Sequence, residues 1–251
     1  MSNSAPPLAE TSEWQTRVHL AAAYRGLALA GVNDHTYNHL AARLWDAPQQ
    51  VLIKPEHQQF HEVTASSLLK YTLDGEKLSG EGNVSRGGLV IHLGVLKGRP
   101  DLQATFHTHT PANIAVSAQR FGLLNLNQHA VRFHRRIGYH DFKGFEFDEA
   151  GRQGLLTALG TGRIAILRNH GVLVGGRTIA EAYIHHHFLE TACRAQIQAL
   201  GAGLDNLLQI PDDIAEHSAQ QIERKPAITE QHHDWHALLR QVDAASSDYR
   251  H

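Results

Sequence analysis

Residues 102–119, "LQATFHTHTPANIAVSAQ", constrain the fold most, because a buried-strand pattern runs directly into a helix pattern there. Pro111 falls in the first turn of that helix, where a missing N–H is tolerated. Side chains two apart in a strand point to the same face, so His107 and His109 should project in parallel, with Thr108 turned away. The segment therefore predicts two neighbouring imidazoles at the end of a strand that leads into a helix.

Helix and strand patterns alternate along the rest of the chain. Helical spacing of apolar residues predicts helices in "SEWQTRVHLAAAYRGLALAG", "SRGGLVIHLGVLKGRPD", "DEAGRQGLLTALG" and "TIAEAYIHHHFLETACRAQIQALG", and a short capped helix at Thr64–Leu69. Apolar runs predict strands in "YNHLAARLWD", "QQVLIKP" and "RIAILRNHGVLVGG", with "YHDFKG" a loop or edge strand. We expect one α/β domain over residues 12–205, a disordered or draped start at 1–11, and a C-terminal helical extension with a solvated tail at 206–251.

Composition narrows the classes of partner. The formal net charge is −2, so the surface is not basic enough to favour nucleic acid. No stretch approaches the roughly 20 apolar residues that cross a bilayer, and the first residues lack a signal-peptide pattern. The single cysteine, Cys193, excludes an internal disulfide. We expect a cytoplasmic protein that acts on a small molecule, with no nucleic-acid or membrane partner.

Histidine is the one unusual residue in the composition, with 20 in the chain. Imidazole nitrogen is a good ligand for zinc, iron, manganese and copper, and a catalytic site needs a third protein ligand besides an open position. His170 is the best candidate, because it interrupts the apolar run "ILRNHGVLV", and Gly171 after it allows a close backbone approach. From spacing alone, His107 and His109 could equally be a hydrogen-bonded pair in the core.

Three stretches of the chain resemble the class II aldolase/adducin family: "RPDLQATFHTHTPANIAVSA", "YHDFKG" and "AILRNHGVLVGGRTIAEAY". With "VTASSL", they are most similar to the adducin head domain and its bacterial homologues. The resemblance implies an α/β/α three-layer sandwich around a mostly antiparallel sheet, and a homotetramer with active sites at subunit interfaces. It also implies that His107, His109 and His170 hold one divalent metal per subunit, zinc or alternatively iron or manganese. His187, on the long helix, would pack or hydrogen-bond near that site, with His185 and His186 on the surface.

The family's sugar-phosphate aldolases use the metal as a Lewis acid that stabilises an enediolate, together with a glutamate as acid/base. When the chain is aligned with those enzymes without gaps, Gly88 takes the position of the glutamate. The pairs of residues that bind phosphate in those enzymes are also replaced in this chain. The resemblance therefore implies a substrate without phosphate. Arg86 could pair with a substrate carboxylate, His39 could also contact substrate, and Tyr139 or His140 could donate a proton.

Three functions remain open from the sequence. The first is a metal-dependent lyase that acts on a small, non-phosphorylated hydroxy-carbonyl or oxo-acid substrate. The second is a mononuclear non-heme iron oxygenase of aryl or keto acids, for which retention of the imidazoles without the aldolase acid would suit redox chemistry. The third is a non-catalytic binding or assembly module, as in the adducin head.

Overall fold

The computed structural model describes residues 12–144 and 149–251, and its centre is one eight-stranded sheet. The strand order is β4-β3-β2-β1-β5-β8-β7-β6, in which β6 and β7 pair in parallel and every other neighbouring pair is antiparallel. The strands are His39–Arg43 (β1), Gln50–Ile53 (β2), Leu69–Thr72 (β3), Lys77–Ser79 (β4), Ala104–Thr108 (β5), Ile137–His140 (β6), Ile164–Leu167 (β7) and Gly171–Gly176 (β8). The mostly antiparallel sheet is confirmed, and Tyr139 and His140 of "YHDFKG" end one of its edge strands, β6.

Helices cover both faces of the sheet. They are Glu13–Leu29 (α1), Arg86–Gly98 (α2), Pro111–Ser117 (α3), Glu149–Leu159 (α4), Ile179–Ala199 (α5), Asp212–Glu223 (α6) and His233–Ala245 (α7). One apolar core lies beneath α2 and α4, with Leu96 and Leu159 among its residues. The other core joins α1, α3, α5 and α7, and includes Tyr24 and Ile184. This arrangement is the predicted three-layer sandwich.

Side-chain caps fix the starts of the two helices nearest the ends of β1 and β5. Ser85 Oγ accepts a hydrogen bond from the backbone N–H of Gly88 at 3.2 Å, which begins α2. Thr110 and Asn113 form a reciprocal capping box that begins α3, with Pro111 in its first turn as predicted. The direct step from β5 into α3 therefore follows from local sequence.

The helix predicted at Thr64–Leu69 is wrong. Residues 65–67 form a single turn, in which the Ser67 hydroxyl donates to the Thr64 carbonyl at 3.0 Å. Leu69 then begins β3 and pairs with Ile53 of β2. Leu68 and Leu69 are fully buried, so pairing with a strand distant in sequence outweighs the local helical signal.

The predicted solvated tail is also wrong as far as α7 is concerned. Trp235, Leu238 and Val242 share one face of α7, and all three belong to the core beside α1 and α5. The Trp235 ring lies edge-on to His19 at 5.8 Å and to Tyr183 at 5.9 Å between centroids. The amphipathic pattern of the segment accounts for this burial. The predicted disordered or draped segment 1–11 lies outside the described residues.

Within residues 12–144 and 149–251, no helix combines the length and the apolar character needed to cross a lipid bilayer.

Candidate metal centre

Three histidines converge where the end of β5 meets the turn between β7 and β8. His107 lies in β5, His109 follows its last residue, and His170 lies in the turn. The Nε2 atom of His109 is 2.8 Å from Nε2 of His107 and 3.0 Å from Nε2 of His170. The structure therefore brings together the three histidines that the resemblance assigns to a metal.

Two backbone features make this convergence possible. Asn169 adopts the left-handed region with φ of 56°, which asparagine tolerates better than most residues, and His170 N–H closes the turn on Leu167 O at 3.0 Å. Gly171 passes so close to β5 that a methyl group there would collide with the Thr108 carbonyl and lie 2.9 Å from Cδ2 of His109. The close approach expected of Gly171 is thus present.

Hydrogen bonds at the far side of two rings determine which nitrogen is free. His107 Nδ1 lies 3.0 Å from the Val172 carbonyl oxygen, and His109 Nδ1 lies 2.9 Å from Oδ2 of Asp34. In the neutral rings, Nδ1–H donates to these acceptors, and Nε2 keeps its lone pair. Two lone pairs then face each other at 2.8 Å, an arrangement that a cation between them would stabilise. The donor set fits a divalent metal that favours nitrogen ligands.

Burial keeps the imidazoles of His107 and His170 neutral. It lowers the pKa of His107 well below the ordinary value, and the neighbouring His109, His39 and His170 lower it further. Burial, followed by the charges of His109 and His140, lowers the pKa of His170 to about 4. A neutral imidazole is the form that binds metal, so protons compete weakly at these positions.

A row of buried polar side chains connects the metal centre with α2 and β5. His39 is the cross-strand partner of His107, with 5.1 Å between ring centroids. Its Nδ1 lies 2.8 Å from Nε2 of His92, which is also 3.2 Å from the His39 carbonyl oxygen. His92 Nδ1 lies 2.7 Å from Oγ1 of Thr105. Because the carbonyl oxygen needs a donor, His92 carries its proton on Nε2, and His39 carries its own on the opposite nitrogen.

Gly88 contacts His39. A methyl group at residue 88 would lie 3.3 Å from Cδ2 of His39 and 3.1 Å from Oγ of Ser85. The glycine therefore gives His39 room at the position to which the sequence resemblance assigns the aldolase acid.

Other predicted site residues are divided between three cavities. His140 and Phe142 line a cavity of about 60 Å³ with His170, and the rings of Phe142 and His170 are 6.3 Å apart. Tyr139 lines a different cavity, and its hydroxyl accepts a hydrogen bond from Leu123 N–H at 3.2 Å. Arg86 lines a third cavity, beside Asp74 and Lys97. The structure thus brings His140 to the metal centre, but neither Tyr139 nor Arg86.

Among the three successive histidines of α5, the buried one is His186 and not His187, so the expectation from the resemblance is wrong. His186 is 1 % exposed, and its Nε2 lies 2.7 Å from Oγ1 of Thr108, between the two strand ligands. His187 lies on the exposed side of the helix. His185 is half-buried, so it is not a surface residue either. The helical period explains the outcome, because His186 shares its face with the buried Ala182 and Leu189.

Sequence reasoning did not identify Asp34, Asn38 or His92 as residues of the site. Asp34 orients the His109 ring, and Asn38 Oδ1 accepts a hydrogen bond from the His109 N–H at 2.8 Å. The sequence nevertheless contains a feature that points to each of these residues. The run "NDHTYNH" is strongly polar between apolar elements, and His92 is the only ionisable residue in "LVIHLGVL".

Comparison with known proteins identifies the family. Residues 18–197 match the model of the Class II Aldolase and Adducin N-terminal domain. The chain therefore belongs to the class II aldolase and adducin family, as the sequence motifs predict. Class II aldolases use a divalent metal, and His107, His109 and His170 are a group of side chains that could hold one in this chain.

Three similar proteins show how far the likeness extends. An aldolase II superfamily protein from Pseudomonas syringae is 39% identical, with a TM-score of 0.90, 95% of this chain and 96% of that chain covered. Alpha-adducin of Rattus norvegicus is 37% identical over 198 residues, which are 76% of this chain but only 27% of the adducin. An L-fuculose 1-phosphate aldolase from Glaciozyma antarctica, 22% identical with a TM-score of 0.81, covers 100% of this chain and 97% of its own, and shows the fold alone.

Proposed function

We propose that this protein is a metal-dependent lyase of the class II aldolase type that cleaves or forms a carbon–carbon bond in a small, non-phosphorylated hydroxy-carbonyl or oxo-acid substrate. The observation that carries the proposal is the convergence of three Nε2 atoms within 3.0 Å of their neighbours. Hydrogen bonds from the other ring nitrogens of His107 and His109 leave lone pairs for a ligand. Zinc is the metal we expect, with iron or manganese as alternatives.

Each part of the site has a task in this proposal. A bound divalent ion would supply Lewis-acid stabilisation of negative charge on the substrate oxygens. Asp34 and the Val172 carbonyl hold the ligand rings in one tautomer. His39 presents an N–H donor beside His107, held by His92, and would hydrogen-bond a substrate oxygen in place of the absent glutamate. His140, in the cavity beside His170, is the proposed proton donor.

The side chains beside the triad support a substrate without phosphate. The cavity that contains His170 and His140 is also lined by Lys143 and Arg168. The Arg168 guanidinium already donates to the Gln119 carbonyl at 2.6 Å and to the Arg120 carbonyl at 3.4 Å, which leaves fewer of its N–H groups for the oxygens of a phosphate. A single carboxylate, as in an oxo acid, is the better match for this environment.

Assembly is part of the proposal. Tyr37 and Phe142 are 70% and 47% exposed, and both lie close in sequence to residues of the metal centre. A neighbouring subunit would cover such apolar side chains, in keeping with a homotetramer that has active sites at its interfaces. We expect the protein to work in the cytoplasm, where its buried Cys193 stays reduced.

The test combines elemental analysis with turnover. Untagged protein should contain one zinc or other divalent ion per chain, and should cleave members of a panel of hydroxy-oxo acids under anaerobic conditions. His109→Ala should lose both metal and turnover, whereas His61→Gln, an exposed control, should keep both.

Two results would replace the proposal. Stoichiometric iron with oxygen uptake that requires an oxo acid would indicate an oxygenase. Metal-free protein that turns over nothing in the panel, and in which His109→Ala behaves as wild type, would leave a binding or assembly module.

A further inference from the structure

A second, larger cavity lies at the N-terminal ends of β6 and β7, whereas the metal centre lies near their C-terminal ends. Its volume is about 910 Å³, within the range of small-molecule sites. Ile137 and Ile164, at the starts of β6 and β7, line it, whereas His140 and Leu167, at the ends of those strands, line the small cavity with His170. The two cavities are therefore separated by the length of the edge strands.

Basic side chains predominate in the lining of this cavity. Six of them are Arg132, Arg135, Arg136, Arg163, Arg177 and Lys225, against the three carboxylates Glu181, Glu223 and Asp234. Arg136 is neutralised by Glu216 and Glu223, with hydrogen bonds of 2.9 Å to each. Arg177 is neutralised by Glu181, at 2.7 Å. The third lining carboxylate, Asp234, lies against His232 and His233, and its charge also acts on Arg132. The lining as a whole keeps more basic than acidic side chains.

Two guanidinium groups carry that surplus. Arg132 is half-buried over the Phe188 ring, 4.0 Å from its centroid, and makes no salt bridge within the described part of the chain. Arg163 has a buried Nε without a hydrogen-bond partner. Its nearest carboxylate oxygen, on Glu181, is 3.4 Å away and already accepts the Arg177 backbone N–H at 2.6 Å. Glu181 is thus shared between two arginines, and a partly buried guanidinium is less costly when a further acceptor binds it.

His185 completes the group. It follows Glu181 by one helical turn of α5 and lines the same cavity, and its Nδ1 is buried without a hydrogen-bond partner. Burial lowers the pKa of His185 to about 4; the charge of Glu181 opposes this effect, and the charges of Arg163, Arg132 and Arg177 add to it. Within the described residues, Arg163 Nε and His185 Nδ1 have no hydrogen-bond partner and Arg132 makes no salt bridge, and all three side chains line the same cavity.

We propose that this cavity is a binding site for a small anion that carries phosphate or carboxylate oxygens, held by Arg132, Arg163 and His185. A guanidinium donates two parallel hydrogen bonds to either group, and the ring nitrogen of His185 would supply a further contact. The cavity is separate from the metal centre, so its occupant is a ligand other than the substrate of the proposed lyase. The inference does not depend on which reaction the metal centre performs.

Calorimetric titration of the full chain tests this site. The probes are inorganic phosphate and citrate, at pH 7.5 and constant ionic strength, and at least one should bind saturably with one site per chain. Preference for phosphate or for citrate identifies which oxygen group the site takes. Arg132→Gln and Arg163→Gln should each weaken binding about tenfold or more, because charge-assisted bidentate contacts are lost.

Three controls distinguish the cavity from other causes. Arg135→Gln changes a rim arginine that pairs with Asp212 at 3.3 Å, and it should leave affinity within about threefold. His109→Ala, in the metal centre, should leave probe binding unchanged. Circular dichroism confirms folding of each variant, and Arg132→Gln carries the test alone if Arg163→Gln does not fold.

Failure is clearly defined. The proposal is overturned if neither probe binds saturably, if both arginine variants bind as wild type does, or if binding disappears in His109→Ala. The last result would place the anion at the metal centre instead.

Discussion

The carboxylate of Asp34 lies 2.9 Å from Nδ1 of His109, while Nε2 of the same ring points at the other two histidines of the triad. A carboxylate behind a ligating imidazole fixes the tautomer and increases the basicity of the free nitrogen. Asp34 comes from the segment between α1 and β1, so the metal centre depends on an element far from its ligands in sequence.

Asp34→Asn should weaken metal binding about 10-fold or more, within the range reported for such outer partners. The amide can still accept a hydrogen bond from Nδ1–H, but it no longer carries the negative charge. Competition with a chelator of known affinity measures the change. Asp46→Asn alters an exposed aspartate in the β1–β2 turn and should leave metal affinity unchanged; equal affinity in both variants would contradict the role given to Asp34.

His39→Ala should lower turnover about 100-fold, the lower end of what a positioned proton-transfer or hydrogen-bonding group contributes, and should retain the metal. His39 lies beside His107, but its Nδ1 atom is hydrogen-bonded to His92 and is therefore not available to bind the metal. Metal content and kcat are measured on the same preparation, with His35→Asn as an exposed control. Loss of metal from His39→Ala would instead make His39 part of the ligand framework.

Local patterns were sufficient for most of the fold but not for every element. The strand-to-helix step at Pro111 and the long helix α5 are encoded by periodicity and caps close in sequence. The helix predicted at Thr64–Leu69 is wrong because Leu69 pairs with Ile53 in the sheet. The sequence pattern around Thr64 does not include that strand partner.

The candidate site shows the same division. Motif resemblance pointed to His107, His109 and His170 together, which spacing could not do. Asp34 and His92 make their contacts across 75 and 53 positions of sequence, so local patterns do not reveal them. His186 is different: the helical phase of α5 already indicates that it is buried, and resemblance directed attention to His187 instead.

Gly171→Ala should remove the metal and destabilise the protein by several kcal/mol, as steric insertion into a packed interior does. The new methyl group would collide with the Thr108 carbonyl and crowd the His109 ring. Gly201→Ala is the matched control, because a methyl group there has no atom within 4 Å. Urea denaturation and metal analysis of both variants check the prediction, which fails if Gly171→Ala retains metal with unchanged stability.

Trp235→Ala should lower the free energy of unfolding by about 3–5 kcal/mol, the range for deleting a large buried aromatic side chain. Trp235 is fully buried between α1 and α5, although it lies in the C-terminal extension. Trp14→Ala removes an indole that is 48% exposed and should cost much less. Similar losses in the two variants would show that α7 contributes little to the core.

Stability should fall as pH is lowered from about 6.5 toward 3, because burial lowers the pKa of both His92 and His186 to about 3. Unfolded histidine titrates near 6.5, so within this window the unfolded chain binds protons that the folded protein excludes. Each group can then contribute up to about 1.4 kcal/mol per pH unit, fully present above 6.5 and lost as pH falls.

Urea titrations at pH 7.5, 6.0 and 5.0, with excess chelator to remove any contribution from metal, measure that slope. His186→Gln keeps a group able to hydrogen-bond Thr108 but cannot titrate, so its slope should be shallower by about 1 kcal/mol per pH unit. His217→Gln, exposed on α6, should retain the wild-type slope. A His186→Gln slope equal to that of wild type would mean that His186 is protonated as readily in the folded protein as in the unfolded chain, which its burial beside Thr108 opposes.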